Sequence, residues 1–547
     1  MKTNKLTAKL LLSGLTMGLG LAIALSACKS SEETVAVFEQ PDYTLEDVRR
    51  EEIKRINQIA EEDIVKAYWR STLLNDRATV DAIGAKLIEQ YNKALEEEKF
   101  FTAKRLVKAL EDLNDVRAGS LSKSSARLEE LCNKTVNGFE STKSRDFKVS
   151  QLIDGTVTVW VDKGIKVENG MGFADRVIGS GFFISKDGYI VTNHHVIADL
   201  VNPKYEGYAR LYVKLAQDSE TRIPAKVVGW DSVVDLAVLK AEVDAPYVFA
   251  LGSSNNLDVG DKIFCIGSPI GLERTLTSGI VSARDRVLFS AGPVMQIDAA
   301  VNSGNSGGPC VDEKGAVQAV VFAGMLQYSG LNFAIPVEYL KAELAVLING
   351  GKFEHSWMES NGRTHKVGLK DSGVELNYVM PGGCAWRAGL RAKDVITKIE
   401  DIPVLNLEDV QKVMMGITSK STVKVTYYSE ADGPVKTTVV YVTDRPLNPG
   451  YQFYKNDIVA SSFTPIFGMK LNAVTQGRKR YQIAEVIRGS IADESGFSEN
   501  DPIEIKNISF NNDNTALYAE IYAKNRKKGY LDINMGIAAP LDSPYYF

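Results

Sequence analysis

Gly304-Asn305-Ser306-Gly307-Gly308-Pro309 holds a serine inside a run of glycines that stops at a proline. Glycine lets a backbone turn sharply and come close to another chain. Such a turn can aim the amides of Gly304 and Ser306, with Asn305 between them, at a developing oxyanion; these three form the candidate oxyanion hole. A serine hydroxyl is a poor nucleophile at its free pKa. It needs a base, an acid that orients the base, and oxyanion donors. The rest of the chain must supply them, because glycine turns containing serine are common.

Four histidines are available. His194 and His195 lie side by side at the end of the apolar run Tyr189-Ile190-Val191-Thr192-Asn193, and the base is expected from this pair. His355 and His365 fall in a polar connector and read as exposed loop residues. Val234-Asp235-Leu236-Ala237-Val238-Leu239 holds a carboxylate inside an apolar stretch, where a charge needs a partner. Asp231 is the rival acid, but it follows Gly229-Trp230 and reads as a turn or surface residue.

Outward from these residues the pattern is one of short strands broken by glycine: Thr156–Val161, Gly181–Ile184, then Gly188–Val191. Closely spaced strands argue for a barrel or sandwich. From Val337 a helix is predicted, stopping near Asn349-Gly350-Gly351. Upstream, Thr44-Leu45-Glu46-Asp47 has the form of a capping box. Ile53, Ile56, Ile64 and Tyr68, then Ile83, Leu87, Tyr91 and Leu95, then Phe101, Leu106, Leu110 and Leu113 repeat at helical spacing. Residues 43–136 are therefore predicted to be an α-helical domain.

The chain has 547 residues, too many for one core of roughly 100 to 200. With 44% hydrophobic and 24% charged residues and a net charge of -5, it gives no reason to expect nucleic acid as a partner. Lys2, Lys5 and Lys9 precede an apolar stretch from Leu10 to Leu25 that is short and glycine-broken for a membrane span. It reads as an export signal, residues 1–27. Its ending Leu25-Ser26-Ala27-Cys28 resembles a bacterial lipobox, which implies lipidation of Cys28 and a tether over 28–42. Cys132, Cys265, Cys310 and Cys384 are scattered, show no zinc spacing, and are expected to be buried apolar residues.

Downstream, Val379-Met380-Pro381-Gly382-Gly383-Cys384-Ala385-Trp386-Arg387-Ala388-Gly389-Leu390 can be laid over residues 486–497, which brings Asp394 and Ile396 onto Asp501 and Ile503. A turn, a short helix ending at glycine and an apolar residue, then Asp-x-Ile opening a strand resembles the PDZ fold twice. The second copy diverges, since Pro502 follows Asp501.

Thr192-Asn193-His194-His195-Val196, Asp235–Lys240 and Gly304–Pro309, in that order, resemble the HtrA (Deg) family of serine proteases. Residues 266–272, 277–282, 298–302 and 333–336 are similar to its framework segments. The resemblance covers roughly Thr156 to the C-terminus and leaves the N-terminal α-helical domain outside it; it implies an all-β trypsin-like double β-barrel protease domain over 149–350, a PDZ domain over 364–446, and a divergent PDZ-like α+β domain over 455–545. It implies His195 as base, Asp235 as orienting acid and Ser306 as nucleophile, with His194 where the family commonly has asparagine. It also implies a regulatory-loop role for Arg286, a specificity-pocket wall that differs at Asn332, and an assembly as a trimer.

No metal, nucleotide or other cofactor is required for the acyl transfer expected here. PDZ grooves take an extended chain as an added strand. Val367-Gly368-Leu369 is the candidate peptide-binding loop of the first unit, and Phe467-Gly468-Met469 of the second. The expected function is ATP-independent cleavage of unfolded or damaged exported proteins by a lipid-anchored enzyme at the periplasmic or outer face of a bacterial envelope. The alternative is a peptide-binding chaperone or scaffold with little proteolysis. An esterase of the α/β-hydrolase type would order its residues serine, acid, histidine, whereas here histidine comes first.

Overall fold

The computed structural model describes residues 41–547 except 135, 137–147, 219, 268–274, 290–291, 303, 325–330, 431–432, 475–478 and 526–530. The export signal and Cys28 lie outside the described residues. Among the described residues no helix is long and apolar enough to cross a membrane.

Among the described residues five α-helices come first: α1 (Glu46–Glu62), α2 (Ile64–Leu74), α3 (Arg77–Glu96), α4 (Phe100–Asp112) and α5 (Ser125–Asn133). The expected capping box does not form. Leu45 is the N-cap and offers no side-chain bond, while the Thr44 hydroxyl turns back to Asp42. Ile53 to Tyr68 is also two helices rather than one. Asp63 leaves the helical conformation and accepts from the Lys66 amide as the cap of α2.

After α6 (Val149–Asp154), six strands close the first barrel: β1 (Thr156–Glu168), β2 (Met171–Phe183), β3 (Tyr189–Thr192), β4 (Arg210–Lys214), β5 (Ile223–Asp231) and β6 (Leu236–Ala241). Alternation drives it, since Val157, Val159 and Val161 enter one core with Phe183, Ile190 and Leu239. Helix α7 (His194–Val201) follows β3 directly.

The second barrel is β7 (Lys262–Gly267), β8 (Thr275–Phe289), β9 (Gly292–Ile297), β10 (Pro309–Val311), β11 (Val317–Gly324) and β12 (Asn332–Pro336), followed by α8 (Val337–Ile348). Cys265 and Cys310 face each other across β7 and β10 and form a disulfide, so these two are not the separate thiols expected. Cys132 and Cys384 are free and buried. A pairing of residues 45 apart becomes visible only when the two strands meet.

The first PDZ unit is a seven-stranded sheet: β13 (Ser356–Trp357), β14 (Ser360–Val367), β15 (Lys370–Val379), β16 (Val395–Ile399), β17 (Ile402–Pro403), β18 (Ser421–Tyr428) and β19 (Lys436–Asp444), with α9 (Cys384–Arg387) and α10 (Leu407–Met415). Its sheet starts at Ser356, ahead of the 364 expected, because β13 pairs with the distant β19. The second unit holds α11 (Pro449–Asn456), α12 (Val459–Phe467), α13 (Ile491–Glu494) and the sheet β20 (Met469–Ala473), β21 (Arg480–Val486), β22 (Pro502–Phe510), β23 (Ala516–Asn525), β24 (Leu531–Pro540). Pro502 is tolerated as the first residue of its strand.

The helical domain shares a continuous core with the first PDZ unit. The Trp69 indole donates to the Val439 carbonyl at 2.8 Å, and Lys108 reaches Glu400 at 3.0 Å and the Thr422 carbonyl at 3.1 Å.

Candidate active site

The histidine pair sits where β3 turns into α7, with Asn193 as N-cap. Asp235 stands just before β6, in a left-handed conformation at φ 62° that few non-glycine residues adopt. Its backbone carbonyl accepts from the His194 amide at 3.3 Å and the Asn193 side chain at 2.8 Å. Its carboxylate takes the His195 amide on Oδ1 and lies 2.7 Å from His195 Nδ1 on Oδ2. Residue 235 therefore holds this corner of the first barrel by main chain and side chain together. With Nδ1 engaged, the other ring nitrogen of His195 has no hydrogen-bond partner among the described residues, and the side chain is about half exposed.

His194 does not compete for this place. Its ring is half-buried, and burial lowers its pKa against the pull of Asp235 and Asp231. Asp231 is not a surface residue and His355 is not an exposed one: Asp231 is fully buried at the end of β5, and His355 Nε2 lies 2.5 Å from it. The cause is in the connector after α8, which runs along β5 through the pairs Trp230 N to Gly351 O and Phe353 N to Trp230 O. Gly229 permits this approach, since a Cβ there would come within 2.3 Å of the Leu347 carbonyl. His365 is partly buried and lies 3.1 Å from Glu375, so it too has a partner.

The turn carrying Ser306 comes from the second barrel and lies against the first. The Ser180 amide of β2 donates to the Ser306 carbonyl at 2.7 Å, and the Ser180 hydroxyl donates to the Gly304 carbonyl at 2.6 Å. Gly307 has φ +86°, and a Cβ there would meet the Ser180 carbonyl, the Thr192 hydroxyl and the Asn193 amide, beside the histidines. Ser306 is thus brought to the corner where His195 and Asp235 stand. Its hydroxyl donates to the Phe322 carbonyl at 3.3 Å, and among the described residues it makes no hydrogen bond to His195.

Among the described residues the Gly304 and Ser306 amides have no acceptor. Asn305 differs from the expectation, because its amide already donates to the Asn302 carbonyl at 3.0 Å, closing the turn. Asn332 is buried and donates to the Ala299 carbonyl at 2.8 Å. Ser180 and Phe322 were missed at the level of sequence. The Gly179-Ser180-Gly181 spacing is a weak signal for the first, and a carbonyl leaves none for the second.

The expected peptide-binding loops fare differently. Val367 and Leu369 flank a tight hairpin turn at Gly368 between β14 and β15, with Leu369 98% exposed. This corrects the assignment of Val367, Gly368 and Leu369, since a two-residue turn needs glycine just as a binding loop does. Phe467-Gly468-Met469 ends α12 and opens β20, and the Gly468 amide is occupied by the Phe463 and Thr464 carbonyls. Arg286 is exposed on β8 and donates from Nε to Gln296 of β9 at 2.7 Å.

Comparison with known proteins gives family models for a trypsin-like peptidase domain at 179–320, a PDZ domain at 375–426, a TP0546 family PDZ domain at 450–541 and a domain of unknown function (DUF8517) at 47–132. The chain is 34% identical over 285 residues to a probable periplasmic serine endoprotease DegP-like protein of Pseudomonas fulva, covering 50% of this chain and 57% of that one. It is 33% identical over 352 residues to a protein of the same description from Brucella suis, covering 61% and 65%. The chain thus spans between half and two thirds of the length of these relatives. Among solved structures, the HtrA-type protease AlgW with decapeptide aligns at TM-score 0.45 and 25% identity, covering 55% of this chain and 98% of that one. With a peptidase model followed by two PDZ models, the chain carries a trypsin-like peptidase domain and PDZ domains, and it is similar to HtrA/DegP-like serine proteases.

Proposed function

We propose that the protein is a serine endopeptidase in which His195 is the base, Asp235 its orienting acid and Ser306 the nucleophile. The observation that carries this reading is the two-point grip of Asp235 on His195, at 2.7 Å to both the amide and Nδ1, beside the glycine turn of Ser306. The grip fixes the tautomer, so the outer ring nitrogen can take the Ser306 proton as the oxygen attacks a peptide carbonyl. The Gly304 and Ser306 amides then hold the oxyanion, a donor being worth about 2.7 to 4 kcal/mol in such sites. His195 returns the proton to the leaving amine, and water releases the acyl-enzyme.

The substrates we infer are unfolded or damaged exported polypeptides, and the location is the bacterial envelope, with Cys28 lipidated. The periplasmic names of the relatives and the strand-adding PDZ units support this. Assembly as a homo-oligomer, a trimer, belongs to the same reading. A regulatory role for Arg286 is supported by its hairpin: Arg284, Asp285, Pro293 and Met295 there line a cavity of about 570 Å³ with Glu408, Lys412 and Met415 of the PDZ helix α10.

The Ser306 hydroxyl bond to Phe322 favours a second reading, a peptide-binding chaperone or scaffold whose proteolysis is minor. Catalytic hydrogen bonds of unliganded enzymes commonly tighten only when substrate binds, so the protease reading accommodates this bond as well. Incubation of unfolded casein with the protein and with Ser306→Ala separates them. Cleavage lost in the variant supports the protease, and equal, negligible cleavage by both leaves the binding protein.

A further inference from the structure

The free edge of the first PDZ sheet is β14, and in the structure it is filled by the chain's own residues 544–547. Ser360 and Phe547 exchange two backbone hydrogen bonds at 3.1 Å each, and the Gly362 amide donates to the Tyr545 carbonyl at 3.1 Å. Asn361 faces Tyr546 in an antiparallel bridge. The Ser360 hydroxyl adds a bond to the Phe547 carbonyl at 3.0 Å. From the other side, Gln411 of α10 donates to the Pro544 carbonyl at 2.9 Å. The segment therefore lies between β14 and α10, held by main-chain bonds that read no particular sequence.

Side chains supply the selectivity. Phe547 is 4% exposed and enters the PDZ core with Val374, Leu376, Val410 and Met414. Gly362 leaves room for it: a Cβ there would come within 2.9 Å of the ring tip. The Arg363 guanidinium covers the Tyr545 ring at 4.1 Å. Tyr546 instead enters an aromatic cluster with Trp357, Tyr378 and Phe453, and its hydroxyl donates to the Pro465 carbonyl of the second PDZ unit at 3.2 Å.

We propose that residues 544–547 are a built-in occupant of the first PDZ groove, which an extended polypeptide from another chain, carrying an aromatic side chain at the Phe547 position, must displace in order to bind. Strand addition to a sheet edge is a general mode of peptide capture, and the affinity comes from the main-chain bonds. A tethered strand competes at an effective concentration of about 1 mM when its linker fits. The groove thus discriminates against weak ligands without being closed to strong ones. The inference stands whether or not the chain cleaves peptide bonds.

The test uses the full chain in a Ser306→Ala background, so that no proteolysis consumes the probe. A fluorescent peptide of residues 542–547, Asp-Ser-Pro-Tyr-Tyr-Phe, is titrated into the intact protein, into a variant lacking residues 544–547, and into Phe547→Ala. Polarisation should show affinity raised about tenfold or more by the deletion, and raised in the same direction by Phe547→Ala. Adding Gln411→Ala to the deletion variant should then weaken binding. Phe547→Ala keeps the segment's length and guards against a deletion that fails to fold. Affinity no higher in either variant than in the intact chain overturns the proposal, as does a gain that Gln411→Ala leaves untouched.

Discussion

At the scale of single residues, the sharpest departure from the sequence reading concerns Asp231 and His355. The apolar run around Asp235 marks it as a partner for a histidine, and it is partly buried, whereas Gly229-Trp230 suggests a turn at Asp231. Both acids hold a histidine, but the partner of Asp231 lies 124 positions away, and nothing local announces it. A third group, Glu343 of α8, is fully buried with no donor for either oxygen among the described residues. Burial, and then the charge of Asp231, raise its pKa well above 4.5, which favours its neutral form. Asp231, held down mainly by the adjoining His355 against its own burial, stays ionised. The half-buried His194 also feels this charge. Because Glu343 binds its proton more tightly when folded, its contribution to stability is complete below about pH 4.5 and is lost as pH rises toward its folded pKa. Glu343→Gln keeps a neutral donor beside Asp231, so its melting temperature should gain on the wild type as pH rises from about 5 to 8. A constant difference across that range would contradict the assignment. His355→Ala strands a buried carboxylate and should cost about 3 to 5 kcal/mol in denaturant unfolding.

Among the elements, periodicity revealed the helices and the strand-rich region but not their ends. Ile53 to Tyr68 reads as one face, yet Asp63 divides it, since a side chain that caps α2 also stops α1. The PDZ repeat was legible because its turn, short helix and Asp-x-Ile step recur in order. Its binding edge was not. An apolar-glycine-apolar triplet suits either a loop that receives a strand or a hairpin tip, and Val367-Gly368-Leu369 is the tip. Leu369→Ser, at 98% exposure, should therefore change stability by less than about 0.5 kcal/mol and leave the affinity for the 542–547 peptide unchanged. A severalfold loss of affinity would return this turn to the binding site. The groove instead uses Ser360, Gly362 and Gln411, which sequence spacing does not connect, because β14 and α10 come together only in the folded sheet.

For the whole molecule, domain order could be read from composition and repeats, whereas domain contacts could not. Nothing in residues 43–136 indicates that Trp69 will reach Val439 or that Lys108 will bridge to Glu400, contacts that make the helical domain and the first PDZ unit one core. The same holds for the site. Asp235 and His195 come from the first barrel and Ser306 from the second, joined across their seam by the two bonds of Ser180. Function on this account depends on the seam as much as on the three side chains. Reaction with a fluorophosphonate, followed by peptide mapping of the adduct with unfolded casein present, tests this most directly. The account predicts a single modified serine, Ser306, with labelling abolished in His195→Ala and strongly reduced in Asp235→Asn, a change that costs about 10⁴ in turnover where such an acid orients its histidine. An unlabelled Ser306, or labelling that persists at the same rate in His195→Ala, would contradict it.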